Sequence, residues 1–163
     1  MPHMNRPKIL RAVIGSIGTV AVCLCFVLSA SQARAAGLDL SPVGVWATAG
    51  NDSHVKIEKC GTNLCGTIVW LKDPLGDDGK DAVDSKNPDP SLRNHKLVGL
   101  LLLSGFEQKD DDPGVWKHGR IYDPEDGRTY SCNLTVQDHN NLRVRGYVGF
   151  SFLGKTQVWT RVE

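Results

Sequence analysis

From residue 44 onward, apolar and polar positions alternate in twos, and the 3.6-residue period of an amphipathic helix is nearly absent. GVWATAG (44–50) reads as a first strand, HVKIEKC (54–60) and LCGTIVWLK (64–72) as a hairpin. LLLLSGFEQ (100–108) is a short apolar strand or buried segment. VWKHGRIYD (115–123) is a strand that runs into the turn signal DPEDG. RTYSCNLTVQD (128–138) alternates most cleanly. Tyr130, Cys132, Leu134 and Val136 share one face, and Thr129, Ser131, Asn133 and Thr135 share the other. After the turn HNN, LRVRGYVGF (142–150) sets Leu142, Val144, Val148 and Phe150 against Arg143, Arg145 and Tyr147. GKTQVWTRV (154–162) is the last strand.

These segments predict an all-β chain of about eight strands joined mostly by short turns. Sequential hairpins favour an up-and-down meander, and closing it into a single barrel removes the exposed edges. A two-sheet sandwich satisfies the same alternation and is the second architecture. An eight-stranded barrel has room for its own side chains or for one small ligand. Ile57, Ile68, Trp70 and Tyr130 are candidate lining residues for such a lumen, together with Leu134, Val144 and Phe150.

The hairpin carries a cysteine pair. With Thr62 and Asn63 at its tip, Cys60 falls opposite Cys65, Ile57 opposite Ile68 and Val55 opposite Trp70. Directly opposed cysteines lie within disulfide reach. Two zinc ligands are lacking, and the spacing is not that of a C-x-x-C redox motif, so the expectation is a Cys60–Cys65 staple. Its short loop gives about 2 kcal/mol in the closure model, and its main effect is to lock register. Cys132 is then a free thiol on an apolar face.

The first residues change the compartment. A basic stretch with Arg6, Lys8 and Arg11 precedes an apolar run at 12–30 and the small-residue site Ala33-Arg34-Ala35. This is the pattern of a secretory signal over residues 1–35, with an uncleaved anchor as the alternative. It leaves a domain at 36–163. Four of the 19 basic residues leave with the signal and all 18 acidic ones stay, so the remainder is net acidic. No basic stripe remains for nucleic acid. No second long apolar run remains for stable membrane anchoring, and a monomer or small homo-oligomer is expected.

Residues 73–98 break the strand pattern. The segment is polar and holds three prolines. Loops of this length are functional or disordered. It reads as a lid or side flap, or else as a solvated insertion. Within it, Asp89 and Pro90 offer an N-cap and first helical position for one short turn.

The sequence carries no catalytic constellation. It has no G-x-S-x-G, no H-E-x-x-H and no phosphate-binding loop, and its histidines lack metal-ligand spacing. GDDGKD (76–81) lacks the oxygen-ligand spacing of a calcium loop and reads as a turn. No metal or cofactor is expected, and an enzyme ranks last among the readings. Arg143 and Arg145 project from one side of one strand. They face solvent, or they face a lumen and hold an anion.

GVW, CGTNLCGTIVWLKDPL, NPDPSLRNHKLVGL, GRIYDPEDGRTYS, LRVRGYVGF and QVWTRV together resemble domain of unknown function family 2147, a family of small exported bacterial proteins. The resemblance spans 44–162. It implies an eight-stranded, lipocalin-like barrel in the periplasm, with no assigned activity. A second likeness, to lipocalins themselves, rests on G-x-W at Gly44-Val45-Trp46 and a basic residue, Arg161, near the end of the last strand. That pair implies an indole–guanidinium stack closing one barrel end. The chain is shorter than a typical lipocalin. The functional expectation is a periplasmic binder of a small apolar or amphipathic molecule. The alternative is a plugged barrel, filled by Trp70, Tyr130 and Phe150, that serves as an envelope or protein-interaction module.

Overall fold

The computed structural model describes residues 40–162. The signal-like segment 1–35, with Cys23 and Cys25, lies outside the described residues. Eight antiparallel strands follow one another around a closed barrel. They are β1 (Gly44–Ala47), β2 (Ser53–Cys60), β3 (Asn63–Leu71), β4 (Leu101–Lys109), β5 (Asp112–Asp123), β6 (Arg128–Val136), β7 (Asn141–Tyr147) and β8 (Gly154–Arg161). β8 pairs back onto β1 through Trp46↔Arg161 and Ala47↔Thr160, which closes the ring. The up-and-down barrel is thus the architecture adopted, and the sandwich is not.

Alternation decides what fills it. Val55, Ile57, Cys132, Leu134, Leu142 and Val144 point inward and are buried, while Lys56 and Arg143 between them point out. Two strands break the period together. Gly105 on β4 and His118 on β5 both adopt positive φ, at 73° and 60°. As a result the inward positions step by three, from Leu103 to Phe106 and from Trp116 to Gly119. Irregularities of this kind bend a strand and increase its twist, as a closed sheet requires. Phe106 lies flat over Gly119, where a Cβ would sit 2.2 Å from the Phe106 ring.

The β2–β3 register differs from the sequence expectation. Cys60 pairs with Asn63, Glu58 with Cys65, Ile57 with Gly66 and Val55 with Ile68. The turn is Gly61-Thr62, because Gly61 supplies the positive φ (68°) that a two-residue hairpin turn needs. A shift of two positions preserves which face each residue takes. The disulfide therefore still forms, as a diagonal bridge on the outer face, with Cα atoms 5.8 Å apart.

A second irregularity, between His54 and Val55, leaves Val69 as an extra residue on β3. Trp70 is thereby turned outward. It pairs with His54, and their rings lie 4.3 Å apart at a tilt of 31°. Trp70 is 40% exposed, so it is not a lumen residue. Phe150 is also corrected. β7 ends at Tyr147, and Phe150 sits in the following turn at 68% exposure.

The turns at 61–62, 110–111 and 137–140 gather at one end of the barrel. The β1–β2, β5–β6 and β7–β8 turns and the long segment 72–100 gather at the other. The Trp46–Arg161 pair stands toward the first end, and a cavity opens at the second. Among the described residues no helix is long and apolar enough to cross a membrane.

Candidate functional site

Arg161 lies with its guanidinium carbon 4.2 Å from the centroid of the Trp46 ring. It also donates to three main-chain carbonyls: Nε to His139 (2.6 Å), Nη1 to Val43 (2.9 Å) and Nη2 to Ser41 (2.9 Å). Trp46 is fully buried, and its Nε1 donates to the Pro42 carbonyl at 2.7 Å. One cation thus ties the lead-in to β1, the β6–β7 turn and β8 together over an indole face. Below it, Leu64, Phe106, Leu134 and Leu142 fill this half of the barrel.

The other half is open. A cavity of about 730 Å³ enters between the turns, and its apolar floor is built from Ile68, Leu102, Val144 and Trp159. Each floor residue is at most 8% exposed. Asp52, Asp123, Tyr130, Lys155 and Gln157 bring polar groups to the wall and mouth. An apolar floor under a polar rim suits a molecule with a greasy body and a polar end.

The structure divides the sequence-derived lining set. Ile68 and Val144 line the cavity. Tyr130 lies at its rim rather than in the core, and its hydroxyl donates to Asp126 Oδ2. That bond raises the Tyr130 pKa and lowers that of Asp126. Ile57 and Leu134 are buried in the packed core. Trp70 and Phe150 are outside. Arg143 and Arg145 stand on the outer face of β7. Arg143 is exposed, and Arg145 donates from Nε to the Ser151 carbonyl (2.6 Å) and from Nη1 to Thr156 Oγ1 (2.7 Å). A lumen anion contact by this pair is therefore corrected: odd positions of β7 point away from the cavity.

Residues 73–98 are pinned to the barrel. Asp84 is 1% exposed and accepts from the Tyr122 hydroxyl (2.8 Å) and from Asn87 Nδ2 (2.6 Å). Lys86 Nζ donates to the Glu125 carbonyl at 2.5 Å. Gly127 comes so near the Lys86 carbonyl that a Cβ would lie 2.0 Å from its oxygen. Asp89 caps a short 3-10 turn, Pro90–Leu92, and accepts from the Ser91 amide. The segment also hands Leu97 to the cavity wall. A solvated insertion would bury no carboxylate, so this is a fitted side wall. In GDDGKD, Asp78 accepts from the Lys80 amide at 3.0 Å, as in an ordinary turn.

Trp159, Leu102, Leu97 and the Asp84–Tyr122–Asn87 cluster are site features the sequence reading missed. Trp159 had a signal, since it shares the face of Arg161 on β8. Asp84 had none, because its burial depends on contacts between distant segments.

Cys132 is fully buried, and burial pushes its thiol up to about 12. Among the described residues no group of three His, Cys, Asp or Glu is placed to hold a metal ion.

Protein HP1028 from the human pathogen Helicobacter pylori, described as belonging to the lipocalin family, has a similar structure. The TM-score is 0.63 at 23% sequence identity, over 76% of this chain and 84% of that one, and the likeness is one of fold. None of the curated proteins matches this chain. The model of a bacterial family described as "Uncharacterized protein conserved in bacteria (DUF2147)" matches residues 44–161, and the chain belongs to that family.

Proposed function

We propose that this protein is an exported, periplasmic carrier that holds one small apolar or amphipathic molecule in the open half of its barrel. The observation that carries this reading is the cavity of about 730 Å³ with its floor of Ile68, Leu102, Val144 and Trp159. Its size falls within the range of roughly 300–1,000 Å³ common for small-molecule sites. The floor offers apolar contact, and the rim offers groups that orient a polar end. The lipocalin-like fold is compatible with such a ligand. Export is supported by the Cys60–Cys65 bridge, which suits an oxidising compartment, and by the signal-like pattern of residues 1–35. The plugged-barrel reading loses its support, because Trp70 and Phe150 lie outside and Tyr130 lies at the rim.

The test is native mass spectrometry of the protein isolated from the producing cell's envelope. A reproducible bound small molecule is expected, and Val144→Phe, which extends a ring into the cavity, should lose it. No bound species, with a thermal midpoint unmoved by long-chain amphiphiles, would overturn carriage.

A further inference from the structure

We propose that the turn joining β7 to β8 is a membrane-docking tip that enters the surface of a bilayer rich in anionic phospholipid. Four large apolar residues crowd its six positions. Val148 and Phe150 are each 68% exposed, Phe152 is 73% and Leu153 is 64%. Scattered apolar residues are ordinary on a surface, but a contiguous patch marks a contact site. The Phe150 and Phe152 rings stack, with centroids 5.6 Å apart and planes at 16°, so they present one apolar plate.

The exposure is built into the fold. Arg145 grips the turn through the Ser151 carbonyl and Thr156 Oγ1. The Leu153 amide donates to the Phe150 carbonyl at 2.9 Å, and Gly149 takes a positive φ of 68°. These bonds hold the backbone while the rings project outward.

Charge selects the occupant. Residues 140–162 contain no Asp or Glu, although the chain has 18 of them. Within that stretch Arg145 and Lys155 flank the turn at the facing ends of β7 and β8, and Arg143 lies farther along β7. An apolar tip with cations at its base matches an acyl layer beneath anionic headgroups. A second copy fits less well, because a two-fold contact through the tip would bring Arg145 and Lys155 against their own counterparts. The acidic residues of the mouth, Asp52, Asp123 and Glu125, belong to the flanking strands and turns, so contact is tip-first rather than across the whole mouth. Val148 and Leu153 also line the cavity, and docking would bring its opening to the bilayer. The inference does not require that the cavity carry anything.

The experiment is vesicle flotation of the protein in the form the cell leaves it. Vesicles of phosphatidylglycerol with phosphatidylethanolamine are compared with phosphatidylcholine alone. Phe150→Ser combined with Phe152→Ser is prepared identically, so any contribution from residues 1–39 is common to both proteins. Wild type should float with the anionic vesicles, less so at high salt, and the double variant should lose about 100-fold in partition. Val148→Asp, with the rings intact, should also weaken flotation. Circular dichroism should stay unchanged, since all three side chains are mostly exposed. Equal flotation of wild type and variants would overturn the proposal. So would wild type that ignores anionic vesicles but self-associates through the two rings in sedimentation. A bound ligand without vesicle binding would sink docking alone, and vesicle binding without a ligand would sink carriage alone.

Discussion

Arg161 on β8 and Trp46 on β1 are cross-strand partners, and the cation of one covers the indole of the other at 4.2 Å. Their pairing sits at the seam where the last strand returns to the first. The seam is short, with two paired positions in register, so side chains must reinforce it. Arg161 does so with three planar N–H bonds to carbonyls, an arrangement that lysine cannot copy. Arg161→Lys should therefore cost about 2 kcal/mol and Arg161→Ala about 3, counting charge-assisted bonds to the main chain together with the cation–π contact. Urea unfolding is the measurement. A lysine variant as stable as wild type would show that charge alone suffices.

The three described cysteines should separate by chemistry. Cys60 and Cys65 should resist iodoacetamide until a reductant is added, because their sulfurs are bonded. Cys132 should react only after unfolding, since it is fully buried and its thiol is pushed up to about 12. Peptide mapping after timed alkylation reads all three. Rapid labelling of Cys132 in the native protein would mean that the β6–β7 side opens readily. Cys60→Ser with Cys65→Ser should cost about 2 kcal/mol or less, given the short loop.

Burial of one face is a strong signal and loop geometry a weak one, and that difference decided what could be read from the chain. Val55, Ile57, Leu134 and Leu142 were legible as inward positions because an apolar side chain every second residue has one consistent placement in a closed sheet. The cysteine bridge survived a misplaced turn because the error was two positions, which preserves parity. Trp70 was lost because the extra residue Val69 reverses parity partway along β3, and no residue there announces it. Phe150 was lost because an alternating pattern continues past the point where β7 stops. Gly149 and Gly61 were the available warnings, since both take φ values that other residues rarely adopt. The cavity floor was half visible, through Ile68 and Val144. Its side wall was not, because Asp84 meets Tyr122 across 38 residues of sequence.

That Asp84–Tyr122 bond makes an alkaline prediction. Burial first, and the bond to Asp84 second, push the Tyr122 hydroxyl from 10.0 up to about 12. The fold thus favours the protonated phenol. Its contribution to stability is complete below pH 10 and is lost as the pH rises through 12. Cys132, whose thiol is also raised, loses its contribution over pH 9 to 12. Tyr122→Phe should cost about 1–3 kcal/mol at pH 7, because buried Asp84 loses a donor. The same variant should show a shallower fall in stability between pH 10 and 12 than wild type. Parallel pH curves for the two proteins would remove Tyr122 from the account. Since the bond pins residues 73–98, amide exchange near Leu97 should quicken in the variant.

Gly119 and Phe106 test whether the packed half of the barrel is as tight as its geometry says. A methyl at Gly119 would stand 2.2 Å from the Phe106 ring, far inside contact distance, and Phe106 is itself fully buried. The ring cannot swing into solvent, so β4 or β5 must move. Gly119→Ala should cost about 1–3 kcal/mol, the usual penalty for overpacking a filled core. Phe106→Leu should also destabilise alone, by leaving space over the glycine. Combined, the smaller side chain makes room for the methyl, and the double variant should be more stable than the two losses added together. Urea midpoints of the four proteins complete the cycle. Simple additivity would mean that the strands absorb the methyl by shifting, and that the positive φ values at Gly105 and His118 leave them freer than a close-packed barrel allows.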